Sequence, residues 1–353
     1  MAAAAGAAMA PLRVAIVGAA GTWGRYYLQA YAEHPDVTLI AVCDRVRPFA
    51  QPPPFPTPAP TTYPFTAPPC EQAPRIREFA RSFGVPKVFA TVEELLADEV
   101  PDIVSAVVPV AHNYAVVAAC AEAGVRVVSC EKPIHFSLEE ADALVELCRR
   151  KGCLFGCGMC HWEAPHSTDV FRWVADNLGE ITAASIPRGC PTEVSGGSCP
   201  QLAAIRLLCG MEVSWVEGWV LEPEPTYEAL PEGRPAHEAD CPAYGRLGFA
   251  NGAICTIPPP PSGDDDEDPV PFLTVEGTGG RAWLGGDHPV LIKGVGGGEH
   301  DRLQPDREHY YCCGVRFHTD ALLQTRGLPA RSSSTNRHRR AQSAECSRRD
   351  SRA

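Results

Sequence analysis

Short apolar runs and amphipathic stretches alternate through the first half of the chain. Apolar runs fall at 13–17, 38–43, 86–89, 103–108, 125–130 and 154–158. They have few polar breaks, which suits strands buried on both faces of a parallel sheet. Between them, 24–34, 76–83, 92–97, 111–123 and 138–150 show helical spacing. Thr91 with Glu94, and Ser137 with Glu140, set a hydroxyl three residues before a carboxylate. In that pattern each side chain satisfies a free N–H at a helix start. Gly124 and Gly152 supply the stops, because glycine accepts the left-handed conformation that ends helices. The alternation predicts a doubly wound α/β domain over 12–158. Beyond about residue 181 strand-like runs follow one another at 181–186, 215–221, 244–249, 253–257, 272–276 and 282–284, with one intervening helix at 199–209. That rhythm predicts an α+β domain over 159–330 with a largely antiparallel open sheet.

Composition refines this picture. Of 353 residues 45% are apolar and 21% charged, so a packed core is expected rather than a disordered polyanion. The length suits two domains. Seventeen of the 35 prolines lie in two stretches, 48–74 and 257–271. Proline lacks an N–H donor and fixes φ, so both are expected as exposed loops rather than helices or inner strands. Residues 331–353 carry seven Arg against two acids, so the other 330 hold −17 of the total charge of −12. An acidic body is a poor partner for nucleic acid, and the tail reads as a basic, solvated terminus. No run of 18 apolar residues occurs, so no membrane-spanning helix is expected. The opening MAAAAGAAMAP lacks a basic segment and an apolar stretch, so 1–11 reads as a disordered Ala-rich tail rather than a secretory leader. Sixteen Cys in that setting argue for reduced thiols in a cytoplasmic protein.

The chemistry begins at RVAIVGAAGTWG, where Gly18, Gly21 and Gly24 follow the first strand and open a helix, with Thr22 and Trp23 between them. Glycines there let the backbone turn tightly and approach a pyrophosphate, while the helix start presents free N–H donors. The second strand ends in Asp44, twenty residues beyond Gly24. A carboxylate at that place can accept the ribose hydroxyls of NAD and repel a 2′-phosphate. Arg45 follows and softens the choice towards NADP. The cofactor expected is therefore NAD or NADP, with NAD slightly favoured.

Residues 13–180 resemble the glucose–fructose oxidoreductase / inositol dehydrogenase (Gfo/Idh/MocA) family. The likeness rests on IVGAAGTWG followed by VCDR, on GVPKVFATVEELLAD, and on DIVSAVVPVAHNYAVVAACAEAGVRVVSCEKP. FLTVEGTGGRAWL and RFHTDALLQTRGLPARSSS extend it towards the C-terminus. The resemblance implies an N-terminal Rossmann domain binding NAD(P) and a second domain presenting a sugar, cyclitol or related polyol to the nicotinamide. Lys132 matches the lysine of the Glu131-Lys132-Pro133 motif, which lies near the reacting carbon. A partly desolvated lysine there can hydrogen-bond a substrate hydroxyl and help move its proton. Pro133 matches a proline that is often cis, and Pro109 the proline after the fourth strand. Asn113 falls where the family often has His; His112 takes that part if the register slips by one. Open sheets in the family often pair face to face, which implies a homo-oligomer.

The pattern fails at one place. Family dehydrogenases carry an Asp and a His on a helix after Gly-Gly. Here Gly196-Gly197 leads to Gln201 and Ile205 at those positions, and neither shuttles a proton. His161, with His166, follows the sixth strand and offers a titratable imidazole instead. The alternative is a catalytically impaired NAD(P)-binding regulator on the same fold. Cys153, Cys157 and Cys160 show the C-x3-C-x2-C spacing of radical iron–sulfur enzymes, and Cys160 with His161 could serve zinc. Free Cys also packs as a small apolar residue, so no metal is expected.

Overall fold

The computed structural model describes residues 10–44, 72–135, 137–158, 165–187, 189–190, 199–210, 212–221, 243–259, 273–284, 290–293, 300–302 and 310–324. Six parallel strands form the first sheet: β1 (Leu12–Val17), β2 (Val37–Cys43), β3 (Lys87–Phe89), β4 (Ile103–Ala106), β5 (Val127–Glu131) and β6 (Leu154–Gly158). Their order is β3-β2-β1-β4-β5-β6, the Rossmann arrangement. Helices α1 (Thr22–Ala32), α2 (Gln72–Ser82), α3 (Val92–Asp98), α4 (Val110–Ala123) and α5 (Leu138–Lys151) alternate with the strands.

The apolar runs are continuous because each strand is covered twice. Ala15 and Val17 face one core with Leu95, Val117 and Leu144. Val14 and Ile16 face the other with Tyr27, Leu28, Tyr31 and Ile76. Two serines interrupt this second side, and both are answered. Ser105 Oγ shares a hydrogen bond with Tyr31 Oη at 2.9 Å, and Ser129 Oγ with His318 Nε2 at 2.7 Å. Buried hydroxyls cost stability unless they are paired.

Both expected caps form. Thr91 Oγ1 accepts from the Glu94 N–H at 3.2 Å, while Glu94 Oε2 reaches back to the Ala90 N–H at 3.1 Å. Ser137 Oγ accepts from the Glu140 N–H at 3.3 Å. Most boundaries move by one to four residues from the sequence reading, and two of the shifts have a plain local cause. Val125 does not start β5; its N–H donates to Cys120 O at 3.0 Å, completing the turn that Gly124 makes at φ 89°. Helix α2 begins at Gln72 and so takes Pro74 into its first turn, where a missing N–H loses no helical bond.

The second sheet has the order β14-β13-β12-β11-β7-β10-β9-β8. Its strands are β7 (Ile181–Ser185), β8 (Val213–Val220), β9 (Ala243–Phe249), β10 (Ile254–Ile257), β11 (Leu273–Gly277), β12 (Gly280–Leu284), β13 (Val290–Lys293) and β14 (His300–Arg302). Only β7 and β10 pair in parallel, so the largely antiparallel expectation holds. Helices α6 (Pro165–Asn177) and α7 (Cys199–Cys209) belong to this half; Val174, Leu178, Ala204 and Ile205 pack with Leu247, Phe249 and Val275. At the edge strand β8, Trp215, Val216, Trp219 and Val220 are exposed.

The last described helix, α8 (Tyr310–Leu323), returns to the first sheet. Val315, Leu322 and Leu323 join the core that holds Tyr27 and Tyr31. The remaining parts of both proline-rich stretches and of the two tails lie outside the described residues.

Candidate cofactor and proton-transfer site

A parallel sheet gathers the C-terminal ends of its strands along one edge. The loops after β1, β2, β4 and β5 therefore share that edge, and the connection leaving β1 runs towards β2 while the one leaving its other neighbour, β4, runs the opposite way to β5. Ligands of open α/β sheets bind at such a switch point. Gly18 has φ +86°, and a Cβ there would lie 2.0 Å from Val107 O. Its N–H donates to Cys43 O at 2.8 Å, and Val107 N–H donates to Val17 O at 2.7 Å. Gly18 thus sits where the ends of β1, β2 and β4 close on one another. Gly24 is equally obliged, since its Cβ would stand 2.5 Å from Gly18 O.

Gly21 differs. It caps α1 in an extended conformation with no side-chain bond, and among the described residues a Cβ would meet only Gly18 O at 3.6 Å. The space beside the first turn of α1 is left open, as an anion approaching the free N–H groups requires. Ala20 N–H donates to Asp44 Oδ2 at 2.7 Å, so the carboxylate at the end of β2 also braces the loop. Thr22 starts α1, and half-buried Trp23 meets Tyr26 edge-on at 5.8 Å. Arg45 and His161 lie outside the described residues, as do Cys160 and the side chain of His166.

At the end of β5, Glu131 is followed by Lys132 and a cis Lys132–Pro133 peptide. Pro109 caps α4, and its carbonyl accepts from His112 N–H at 2.8 Å. Asn113, one turn on, is 1% exposed. Its Nδ2 donates to Glu131 O at 3.1 Å and to Pro133 O at 3.0 Å, so α4 grips the backbone on both sides of Lys132. Asn113 Oδ1 is buried and meets no donor among the described residues. Asn113→Leu has a similar volume and strands both carbonyls. It should lower stability by about 2–6 kcal/mol, at 1–3 kcal/mol for each of the two carbonyls left unpaired. Urea unfolding reads this, and an unchanged midpoint would remove the clamp.

Burial pushes the Glu131 carboxyl above its ordinary range, opposed by the Tyr27 hydroxyl and by Lys132. Tyr27 Oη donates to Glu131 Oε1 at 2.8 Å. Gly158 makes room for the pair, since a Cβ there would fall 2.9 Å from Tyr27 Oη. Tyr27 was not foreseen. It lies 104 residues from its partner, and nothing in α1 distinguishes it from a core tyrosine.

The thiols go separate ways. Cys153 and Cys157, at the two ends of β6, are roughly 13 Å apart at about 3.3 Å per residue. Hydrogen bonding with Cys130 and burial push the Cys157 thiol up, and Cys153 is likewise raised beside Cys148. Among the described residues no three His, Cys, Asp or Glu side chains are grouped to hold a metal. In α7, Ile205 is wholly buried in the second core, and Gln201 Oε1 is buried without a partner among the described residues.

Comparison with known proteins agrees with this geometry. Residues 70–159 match the model of the oxidoreductase family with an NAD-binding Rossmann fold. D-glucoside 3-dehydrogenase of Escherichia coli is 26% identical over 183 residues, which is 51% of this chain and 44% of that protein. The matched region thus spans less than half of the curated relative. Biliverdin reductase from Synechocystis, solved with biliverdin and NADP+, superposes with TM-score 0.62 at 18% identity, over 89% of this chain and 90% of that one. An oxidoreductase from Agrobacterium radiobacter, solved with NAD+, L-tartaric acid and magnesium, gives 0.63 at 17% over 89% of each. A 3-ketoreductase from Actinomadura kijaniata, solved with NADP, gives 0.62 at 18% over 90% of each.

Proposed function

We propose, for a chain whose residues 70–159 match the NAD-binding oxidoreductase family and which resembles the Gfo/Idh/MocA proteins, an NAD(P)-dependent oxidation or reduction of a hydroxyl-bearing carbon in a sugar, cyclitol or related polyol. The observation that carries it is the open cradle at Gly21, framed by two glycines that tolerate no side chain and braced by Asp44. A bound nicotinamide supplies the hydride acceptor or donor. The first turn of α1 holds the pyrophosphate through its free N–H groups. Asp44, already oriented by Ala20, accepts ribose hydroxyls and favours NAD. Lys132 donates a hydrogen bond to the substrate oxygen and polarises it. In the alcohol-oxidising direction the lysine stabilises the developing alkoxide; in the other it supports protonation of that oxygen. The glucoside dehydrogenase relative supports a sugar or polyol substrate.

A second reading, an NAD(P)-binding regulator without turnover, is favoured by one observation: Ile205 packs as core at the place where a proton-shuttling side chain would stand. Cofactor fluorescence tests the common premise. NADH is expected to bind at micromolar concentrations, and NADPH more weakly; binding of neither would overturn both readings. Turnover with a polyol and sugar panel then separates them.

A further inference from the structure

The mechanism above leaves one buried polar group unused: the contact between α8, α1 and the end of β5. His318 is 5% exposed and Tyr27 is 1% exposed, although both carry polar atoms. His318 Nε2 is 2.7 Å from Ser129 Oγ, two residues before Glu131 on the same strand. Its ring meets Tyr27 edge-on, with centroids 6.2 Å apart and planes at 84°. The tyrosine hydroxyl then donates to Glu131 Oε1 at 2.8 Å. Gly158, on β6, leaves no slack, because a Cβ would come within 2.9 Å of Tyr27 Oη and 3.4 Å of Glu131 Oε1. The groups facing the carboxyl are thus Tyr27 from α1, His318 from α8, Lys132 from its own strand end and Cys157 from β6. A buried carboxyl group that loses one of its two donors, here Tyr27 with the Lys132 N–H remaining, turns towards the donor it keeps. Here the residue that turns is covalently next to Lys132.

We propose that Tyr27 and His318 are positioning residues for Lys132. The α8 histidine holds the α1 tyrosine edge-on, the tyrosine hydroxyl holds the Glu131 carboxyl, and that carboxyl sets the direction of the lysine after it. The last described helix of the chain is therefore part of the apparatus that aims the lysine, although it touches no substrate. Tyr27 lies one turn into the helix whose N-terminus forms the cofactor cradle, so the same hydrogen bond ties the cradle to the lysine. The inference rests on the role given to Lys132 above, and its test is chosen to be read without turnover.

The chain has four lysines, Lys87, Lys132, Lys151 and Lys293, so reductive methylation with 13C-formaldehyde yields a small set of resolvable side-chain resonances. That of Lys132 is assigned by its loss in Lys132→Arg. Tyr27→Phe, which removes one oxygen, and His318→Leu are both expected to displace the Lys132 resonance while the other three stay in place. His318→Phe keeps a ring to meet Tyr27 edge-on and should bring the resonance back towards its wild-type position. A Lys132 resonance unmoved in Tyr27→Phe would overturn the proposal. So would a common displacement of all four, which marks a merely structural role. Should His318→Leu fail to fold, Tyr27→Phe carries the same readout. In the active enzyme Tyr27→Phe should also lower kcat about three- to tenfold, the size of one hydrogen bond, with the KM for cofactor unchanged. A wild type that turns over no polyol would count against the proposed reaction alone, because the resonances are read on resting protein.

Discussion

Lys132→Met lowers kcat by a factor of about 10²–10⁴, the usual contribution of a positioned proton-transfer group, and leaves NADH binding within about twofold of wild type. The reasoning starts from the backbone. Lys132 stands at the C-terminal end of β5, and its flanking carbonyls are held by Asn113. Methionine matches the length of the stem without the charge, so the strand end keeps its packing. What disappears is the donor proposed for the substrate oxygen. Steady-state kinetics on the best substrate of a polyol panel, with parallel fluorescence titration of NADH, measure both quantities. A kcat within threefold of wild type would transfer the polarising role elsewhere, with His112 and His161 the first residues to test.

The second large effect separates three glycines by what a Cβ would meet at each. Gly18→Ala should destabilise the fold by about 3–5 kcal/mol. Roughly 1–2 of these come from the left-handed backbone, and the rest from overpacking at the centre of the sheet. The obstructing atom is the backbone oxygen Val107 O at 2.0 Å, which cannot swing aside as a side chain can. Gly84→Ala is the internal control. Its φ is +67° with nothing among the described residues within 4 Å of the new Cβ, so only the backbone cost of about 1–2 kcal/mol is expected. Gly21→Ala reverses the pattern: its Cβ meets no atom of the described residues closer than 3.6 Å. The protein should fold with near-native stability and bind NADH at least about tenfold more weakly, because the methyl group stands where the pyrophosphate approaches. Urea unfolding and cofactor titration on the three variants provide the comparison. Equal stability of Gly18→Ala and Gly84→Ala would refute the close contact between the β1 and β4 loops. Undiminished cofactor binding by Gly21→Ala would place the pyrophosphate elsewhere.

Which parts of this were legible beforehand follows from the range of each interaction. Helix α7 and strand β6 match their expected spans, and the caps at Thr91 and Ser137 form as read, because hydroxyl and N–H are three residues apart. The glycine loop was visible for the same reason, as a short string between a strand and a helix. Strands β13 and β14 were not expected; with four and three residues they are too short to display a period. Helix α6 does carry its pattern, in Phe171, Val174 and Leu178. Asn113 was legible as a site residue by its place in the family motif, but its two backbone acceptors were not.

By itself, the sequence determined the alternation of strands and helices, the buried character of the first sheet, the glycine loop with Asp44 and the lysine at the end of β5. Each is written in residues within a few positions of one another, where periodicity, capping and turn chemistry act. Tertiary structure alone decided which glycine is sterically obliged, what Asn113 holds, and that Tyr27 and His318 meet behind Glu131. What Gly18, Asn113, Tyr27 and His318 meet depends on contacts between residues 18 to 291 positions apart. Packing brings them together only once the sheet has formed, and a tyrosine or histidine bound for such a contact carries no local mark of it.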